Sequence, residues 1–262
     1  MDACGSYFIE DLERLGQGGF GEVYKVNVYN SDRSYATQYA RKYFSPAAEY
    51  EVTAVREIAD LRQRFLVEIK TQYTLNSINY NLIAPIVLFK TTGDKPYFIM
   101  ELAECNLRKM IDNGMDIAEK RVAVIQILQG VKLIHDNNYI HRDLKPENIL
   151  RYANGWYKIS DFGLVKDLDD LRAAIKTKFN PQGMGSGTYR APEIIDFGKF
   201  SVQSDIYALG RIISDIYSSA IPSRLRPVIN KATSYLVEDR YLTVDKLLED
   251  FCSATHVTAE AS

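Results

Sequence analysis

An α+β chain of two lobes, with an antiparallel sheet and one key helix in the first and mainly helices in the second, is predicted by three features of the sequence. Aliphatic and aromatic stretches broken by turn residues fill the first hundred positions, Glu22–Asn30, Tyr35–Phe44, Ile83–Thr92 and Lys95–Leu102 among them. A single run without glycine or proline, Glu49–Leu75, interrupts them with charged and apolar residues at helical spacing. The texture then changes near Glu101–Asn106, and helical patterns dominate the rest of the chain. The expected division is residues 1–102 for the first lobe, 103–254 for the second, and a frayed tail over 255–262, where residues are small or polar.

Each element is justified by its local pattern. Turn signals at Asn30-Ser31-Asp32 and Thr92-Gly93-Asp94 separate the strands. In the second lobe Asp116–Asn137 reads as a long amphipathic helix, with Val122, Ile125, Leu128, Val131 and Leu133 as its apolar face. No internal repeat and no low-complexity linker is present.

Composition narrows the class. A chain of 262 residues, 46% hydrophobic and 25% charged, buries a sizeable core, and a formal charge of -2 provides no broad basic field for nucleic acid or an anionic membrane. The three cysteines, Cys4, Cys105 and Cys252, lack both zinc-site spacing and disulfide density, which points to a reducing, cytoplasmic setting. No signal-peptide pattern opens the sequence, and no run of about 18 apolar residues occurs.

The chemistry begins at Leu15–Val23, LGQGGFGEV, a G-x-G-x-x-G-x-V at Gly16, Gly18, Gly21 and Val23 between strand-like segments. Glycines there let bare amides approach phosphate oxygens; a flexible hairpin is the bland alternative, and a strand rather than a helix after the loop disfavours a dinucleotide fold. In YARK, Ala40 and Lys42 lie on one side of their strand, where Lys42 is placed to neutralise phosphates. The most specific segment is HRDLKPENIL, His141–Leu150. Asp143 can accept the proton of an attacking hydroxyl, Lys145 can offset charge on a moving phosphoryl group, and Asn148 offers an oxygen to a hard cation. Asp161, opening Asp161-Phe162-Gly163, supplies a second oxygen; two such ligands suit magnesium, which also binds waters and substrate phosphates.

Glycine loop, strand lysine, HRDLKPEN, DFG and APE, in this order, resemble the eukaryotic-type protein kinase family over roughly Phe8 to Phe251. The resemblance implies a kinase-like two-lobed fold that binds ATP and Mg2+, for which Mn2+ can substitute, in the cleft between the lobes. It implies that Gly16, Gln17, Gly18, Gly19, Phe20 and Gly21 cover the phosphates, that Lys42 holds the α and β phosphates, and that Asp143 is the catalytic aspartate. Asn148 and Asp161 become the magnesium ligands. Val23 and Ala40 would roof the adenine and Leu150 floor it; Glu101 and Ala103 would read its edge through backbone groups, with Met100 limiting access behind. The lysine's partner on the long helix is Glu57 or Glu68, eleven residues apart. Glu68 lies 33 residues before Glu101, near the family's roughly 30, although Gln72 one turn on stands where the family has an apolar residue.

HRDLKPEN with its Lys145 is the serine/threonine pattern, and Ser186 in GSGTYRAPE occupies the position of a hydroxyl residue touching the catalytic aspartate. Asp205 would steady the catalytic loop and Arg240 would pair with Glu193, both structurally. Thr177, the only hydroxyl residue between Gly163 and Gly185, becomes the expected autophosphorylation site, with Arg142 and Lys166 to hold its phosphate and transient self-association for transfer in trans. Two departures stand out. Only 35 residues separate Asp205 from Arg240, against roughly 60 in the family, so the helix that often docks substrates should be shortened or absent; and 32 residues, a long activation segment, separate Asp161 from Glu193. The reduced second lobe suggests a minimal kinase of bacterial or viral type. The alternatives are a catalytically dead scaffold, which would normally lose a phosphate or metal ligand, and a small-molecule kinase, which the combination of DFG, APE and Lys145 disfavours. Tyrosine specificity is disfavoured by Lys145. The protein substrates themselves are not legible.

Overall fold

The computed structural model describes residues 1–17, 21–45, 55–167, 188–218 and 220–256. The chain divides into two compact units, Met1–Glu104 with Asp161–Leu164, and Cys105–Ser160 with Val165–Ser262. The sequence places the division after residue 102.

In the first unit, strands β1 (Asp2–Cys4), β2 (Tyr7–Gln17), β3 (Gly21–Tyr29), β4 (Ala36–Phe44), β5 (Ile86–Lys90) and β6 (Tyr97–Glu101) form one antiparallel sheet in the order β1-β2-β3-β4-β6-β5. Alternation along the strands gives the sheet two different faces. Ile9, Val26, Val28, Tyr97 and Ile99 form the core of one. On the other, Phe44, Ile86 and Phe98 pack against Phe65 and Ile69 of helix α1 (Val55–Ile78). The Phe44, Phe65 and Phe98 rings stack in series with centroids 5.7 and 5.6 Å apart, and each buried ring of this kind contributes about 1.5–3 kcal/mol. The helix runs three residues past its expected end at Leu75, and its expected start at Glu49 lies outside the described residues. Strands β1 and β2, the latter extending from Tyr7 into the glycine loop, give the sheet one edge that the turn signals did not delimit.

The second unit is mainly helical: α2 (Leu107–Asn113), α3 (Ile117–Asp136), α4 (Pro192–Phe197), α5 (Val202–Ile216), α6 (Arg226–Ala232) and α7 (Val244–Thr255). Asp116 caps α3 by accepting the Glu119 N–H at 2.8 Å. Its buried face is Ala123, Val124, Ile127, Leu128, Val131 and Ile134, not the expected one; Val122 is exposed, and Ile125 and Leu133 are only partly covered. Two choices from the sequence, Leu128 and Val131, lie in the core; the run 122, 125, 128, 131 steps by three and so drifts off a 3.6-residue face, and Leu133 stands two residues beyond it. Because α3 packs against α5, α7 and the short strands, the arc it buries is also wider than a single stripe. Strands β7 (Cys105–Asn106), β9 (Ile149–Arg151) and β10 (Tyr157–Ile159) form a small sheet, and β8 (Tyr139–Ile140) pairs with β11 (Lys166–Asp167). Together they bracket the loop 141–148.

Among the described residues between α5 and α6 there is no helix, which agrees with the short spacing from Asp205 to Arg240. At Gly210 of α5 a Cβ would lie 2.7 Å from Thr233 Cγ2 and 2.8 Å from the Ala232 Cβ, so glycine permits the close crossing of α5 and α6. Thr255, assigned to the tail from the sequence, instead closes α7, donating its hydroxyl to the Phe251 carbonyl at 2.8 Å; residues 257–262 lie outside the described set. No described helix is long and apolar enough to cross a membrane.

Candidate active site

The first unit builds a buried ionic cluster. Strand β4 lies between β3 and β6, with Val23 opposite Lys42 and Ala40 opposite Met100, so these four side chains share one face of the sheet. Glu68 of α1 meets that face: Lys42 Nζ donates to Glu68 Oε1 at 2.6 Å and to Asp161 Oδ1 at 3.0 Å. Of the two glutamates that the sequence offers, Glu68 is the one on the lysine. Burial disfavours the Lys42 charge, but Asp161 and Glu68 outweigh it and hold the ammonium pKa well above its usual value. Burial acts more strongly on Glu68 than the attraction of Lys42 and pushes it up to about 7.

Gln72, the polar residue that counted against Glu68, is fully buried and donates its Nε2 to the Ala84 carbonyl at 2.9 Å, so its amide has a local structural task. Asp161 adopts φ 62°, a left-handed conformation rare for a residue with a Cβ, and Phe162 beside it is completely buried. Gly16 pairs with Val23 and Gln17 with Glu22, while Gly18, Gly19 and Phe20 lie outside the described residues. Gly21 has a reason beyond phosphate approach, since a Cβ there would sit 2.1 Å from the Tyr43 carbonyl oxygen. At the end of β6 the Glu101 N–H is committed to the Pro85 carbonyl at 3.1 Å, and Tyr80 donates its hydroxyl to the Glu101 carboxylate. Ala103 lies two residues later, in extended chain outside β6.

The second unit builds the catalytic loop. Lys145 Nζ donates to Asp143 Oδ2 at 2.7 Å, and Asn148 Nδ2 donates to the same oxygen at 3.0 Å and to the Asp143 carbonyl at 2.8 Å. Both side-chain contacts fall on Oδ2 of Asp143. Committing Nδ2 to Asp143 also fixes the orientation of the Asn148 amide. Leu150, on β9, pairs with Asn106 and Lys158.

The loop is pinned from beneath. Asp205, almost fully buried on α5, accepts the His141 N–H at 2.8 Å, the Arg142 N–H at 2.9 Å and a contact from His135 Nε2 at 2.9 Å. Burial opposes its charge, but His135, His141 and the backbone donors hold the carboxyl below its usual range. The N–H of Asp143 reaches His141 Nδ1 at 3.3 Å, so His141 Nε2 carries the proton donated to the Ser160 carbonyl at 3.1 Å. Arg142 sits at φ 72° with its guanidinium 3.9 Å from the Phe200 ring centroid. Glu193 and Arg240 form a bidentate pair, with both N···O distances 2.8 Å, and Ser204 adds a third hydrogen bond to the glutamate at 2.9 Å. Thr177 and Ser186 lie outside the described residues.

Two groups escaped the sequence reading. Arg41, next to Lys42 but on the opposite face of β4, is 1% exposed, bound to Asp2 at 2.9 Å and Asp11 at 2.5 Å, and stacked on the Tyr43 and Tyr97 rings. Its alternation with Lys42 was readable; its acidic partners, 39 and 30 residues away in the sequence, were not. Arg108 of α2 joins Glu147, Asp215 and Tyr189, residues that no motif links to it.

Asn148 of the second unit and Asp161 of the first each carry an oxygen of the kind that Mg2+ takes, one or two from protein with the rest of its shell from water and phosphate. Among the described residues no cluster of three or more His, Cys, Asp or Glu forms a self-contained metal cage.

Comparison with known proteins agrees with this arrangement. The model of the protein kinase domain matches residues 9–251. Among curated relatives, the sporulation-specific mitogen-activated protein kinase SMK1 of Saccharomyces cerevisiae is 31% identical over 80% of this chain and 54% of its own length. The probable serine/threonine-protein kinase PknB of Lactococcus lactis is 26% identical over 93% of this chain and 41% of its own. The membrane-associated tyrosine- and threonine-specific cdc2-inhibitory kinase of Drosophila melanogaster is 31% identical over 77% and 34%. The chain thus spans about half or less of the length of these relatives. With the family model covering nearly all of the sequence, and with the ordered motifs folded as described, the chain belongs to the protein kinase domain family.

Proposed function

We propose that the protein is an ATP-dependent serine/threonine kinase that transfers the γ-phosphoryl group to hydroxyls of protein substrates and autophosphorylates at Thr177. The observation that carries this reading is the cluster of Lys42, Glu68 and Asp161, a buried ammonium held by one fully buried and one partly exposed carboxylate. Such a cation is a phosphate ligand in waiting, since its position is set before any nucleotide arrives.

In this reading Gly16 and Gly21, with the intervening Gln17, Gly18, Gly19 and Phe20, cover the phosphates, and Lys42 binds the α and β phosphates. Val23, Ala40, Met100, Leu150 and the backbone at Glu101 and Ala103 receive the adenine. The Glu101 N–H is bound to the Pro85 carbonyl. Asn148 and Asp161 would be the protein ligands of Mg2+, which when bound would neutralise charge on the phosphates. Asp143 accepts the proton of the acceptor hydroxyl on Oδ1, while Lys145 and Asn148 keep its Oδ2 in place. Lys145 within HRDLKPEN matches the serine/threonine pattern of the family, and this resemblance supports serine or threonine acceptors. Catalysis is then mainly positioning and electrostatics. Transfer to Thr177 occurs in trans between transiently associated copies. We place the enzyme in the cytoplasm, acting on proteins rather than on nucleic acid or membrane.

The test is transfer from labelled ATP with Mg2+, using the protein alone and with a generic basic protein, beside Asp161→Ala. Label on serine or threonine that disappears in the variant supports the reading, and mass spectrometry checks Thr177. Equal label in the variant, or label on tyrosine only, overturns it.

A further inference from the structure

On the face of the first unit's sheet opposite Lys42, one row of directly paired residues crosses four strands: Lys90 of β5, Tyr97 of β6, Tyr43 of β4 and Glu22 of β3. Paired residues share a face, so these side chains stand next to one another at the strand spacing of about 4.8 Å. Tyr24 and Arg41 form the adjoining pair on that face. The Tyr24 and Tyr97 rings both meet Tyr43 edge to face, with centroids 5.9 and 5.7 Å away. Against this aromatic row lies a cavity of about 550 Å³, walled by the three tyrosines and by the chain from Thr92 to Lys95 between β5 and β6. Its volume falls within the range of small-molecule sites.

The groups that line the cavity differ in what they have left to offer. Asp2 and Asp11 hold Arg41 at 2.9 and 2.5 Å, and Glu22 holds Arg14 at 3.1 Å. A cationic ligand would have to displace Arg41, which is almost fully buried and stacked on the Tyr43 and Tyr97 rings. Lys90 and Lys95 line the same cavity and form no ion pair among the described residues, with Asp94 the only lining carboxylate left to set against them. The uncommitted charge is therefore positive. Tyr97 is 2% exposed, and its hydroxyl has no hydrogen-bond partner among the described residues; the Cys4 thiol beside it is a poor acceptor. Burial raises the pKa of that hydroxyl, so it stays protonated and able to donate. A buried donor facing a cavity without a partner is a group that a ligand oxygen satisfies.

We infer that this cavity is a second ligand site of the first unit, built for a small aromatic anion, an aryl carboxylate or an aryl phosphate. Lys90 neighbours Tyr97 in the row, so an anionic group at Lys90 and Lys95 also comes within reach of the Tyr97 hydroxyl. The ring of the ligand then extends along the row towards Tyr43 and Tyr24, whose edge-to-face arrangement suits a further aromatic group. Ser45 and Thr92 add hydroxyls to the lining. None of these side chains takes part in phosphoryl transfer, so the site stands independently of the kinase reading.

The experiment is titration calorimetry of the full chain with phenyl phosphate and 4-hydroxyphenylacetate as aromatic anions, beside inorganic phosphate and benzylamine, for the unaltered protein, Lys90→Ala/Lys95→Ala and Tyr97→Phe. At least one aromatic anion is expected to bind with a Kd of about 1 mM or tighter, as befits a ligand of this size, and the other two probes about tenfold more weakly or not at all. The double lysine variant should weaken that binding about fivefold or more, and Tyr97→Phe about three- to tenfold, the loss of a hydrogen bond to a charged group. Both lysines are exposed, so the double variant keeps the fold and decides the matter on its own if Tyr97→Phe melts early. Four results overturn the inference: no saturable binding of either aromatic anion up to about 10 mM, benzylamine binding more tightly than both, inorganic phosphate binding as tightly as phenyl phosphate, or affinity unchanged in the double lysine variant. The first leaves no site, the second makes it a cation site, the third reduces it to two surface lysines, and the last puts the ligand elsewhere on the molecule.

Discussion

Lys42 Nζ lies 2.6 Å from Glu68 Oε1, and Glu68 is completely shielded from solvent while its second carboxylate oxygen has no hydrogen-bond partner among the described residues. The pair is therefore one-sided: the lysine is well satisfied by Glu68 and Asp161, and the glutamate by the lysine alone. Removing the charge of Glu68 weakens the hold on Lys42 without creating a cavity. Glu68→Gln is expected to lower kcat/KM for ATP by about ten- to a hundredfold, measured by steady-state kinetics.

The same burial gives opposite pH trends for stability and for activity. Folding pushes the Glu68 pKa up from 4.5 to about 7, so the folded state keeps a proton that the unfolded chain has already released. The contribution to stability is full below about 4.5 and is lost as pH rises towards about 7. The ionised carboxylate that holds Lys42 forms over the same interval, so activity should rise towards pH 7. Paired melting and rate profiles check this, and the rising limb should be absent in Glu68→Gln.

The bidentate pair of Glu193 with Arg240 is nearly closed to solvent, with the Arg240 side chain 0% exposed. Arg240→Ala leaves a buried carboxylate unpaired and should cost about 3–5 kcal/mol in denaturant unfolding. Burial raises the Glu193 pKa, but the bonds from Arg240 outweigh it and hold it below its ordinary value. Its contribution is thus present at neutral pH and lost as pH falls through the folded value, so the gap between variant and parent should narrow in acid.

Asp205→Asn removes the charge that gathers the backbone N–H groups of His141 and Arg142, the latter held at φ 72°. A loop freed to relax displaces Asp143. The expected result is a fall in kcat of about ten- to a hundredfold with a small change in KM for ATP, because Lys42, the proposed phosphate ligand, belongs to the other unit.

Gly21→Ala puts a methyl group where the Tyr43 carbonyl stands, 2.1 Å away, and should destabilise by about 1–3 kcal/mol, read by thermal melting. Gly16→Ala meets nothing within 4 Å and should leave the melting temperature close to that of the parent.

These contrasts show what the sequence carried. Periodicity located β3 to β6 and the long helix because those elements bury one alternating or helical face, and HRDLKPEN is contiguous, so the grouping of Asp143, Lys145 and Asn148 in one loop was readable from spacing. The phase of α3 was not, because several neighbours share its burial and no single stripe dominates. Arg41 and Arg108 were missed for another reason: their carboxylates are brought to them by strand pairing and helix packing across 30 to 107 residues of sequence, and a charged residue by itself gives no sign of burial. Glycine was read as a phosphate-binding device throughout the loop, whereas at Gly21 a neighbouring carbonyl imposes it as well.

Two side-chain amides on α1 have a mechanical consequence. Gln72 Nε2 is tied to the Ala84 carbonyl at 2.9 Å and Asn76 Nδ2 to the Ile83 carbonyl at 3.3 Å, one and two turns beyond Glu68. They rivet the helix to the chain just ahead of β5. Swinging Glu68 away from Lys42 by turning α1 as a rod would shear both rivets, at about 1 kcal/mol for each bond and more where a buried amide goes unsatisfied. Torque on α1 is therefore shared with that neighbouring segment, and a slender 24-residue cylinder gains the stiffness of a braced beam.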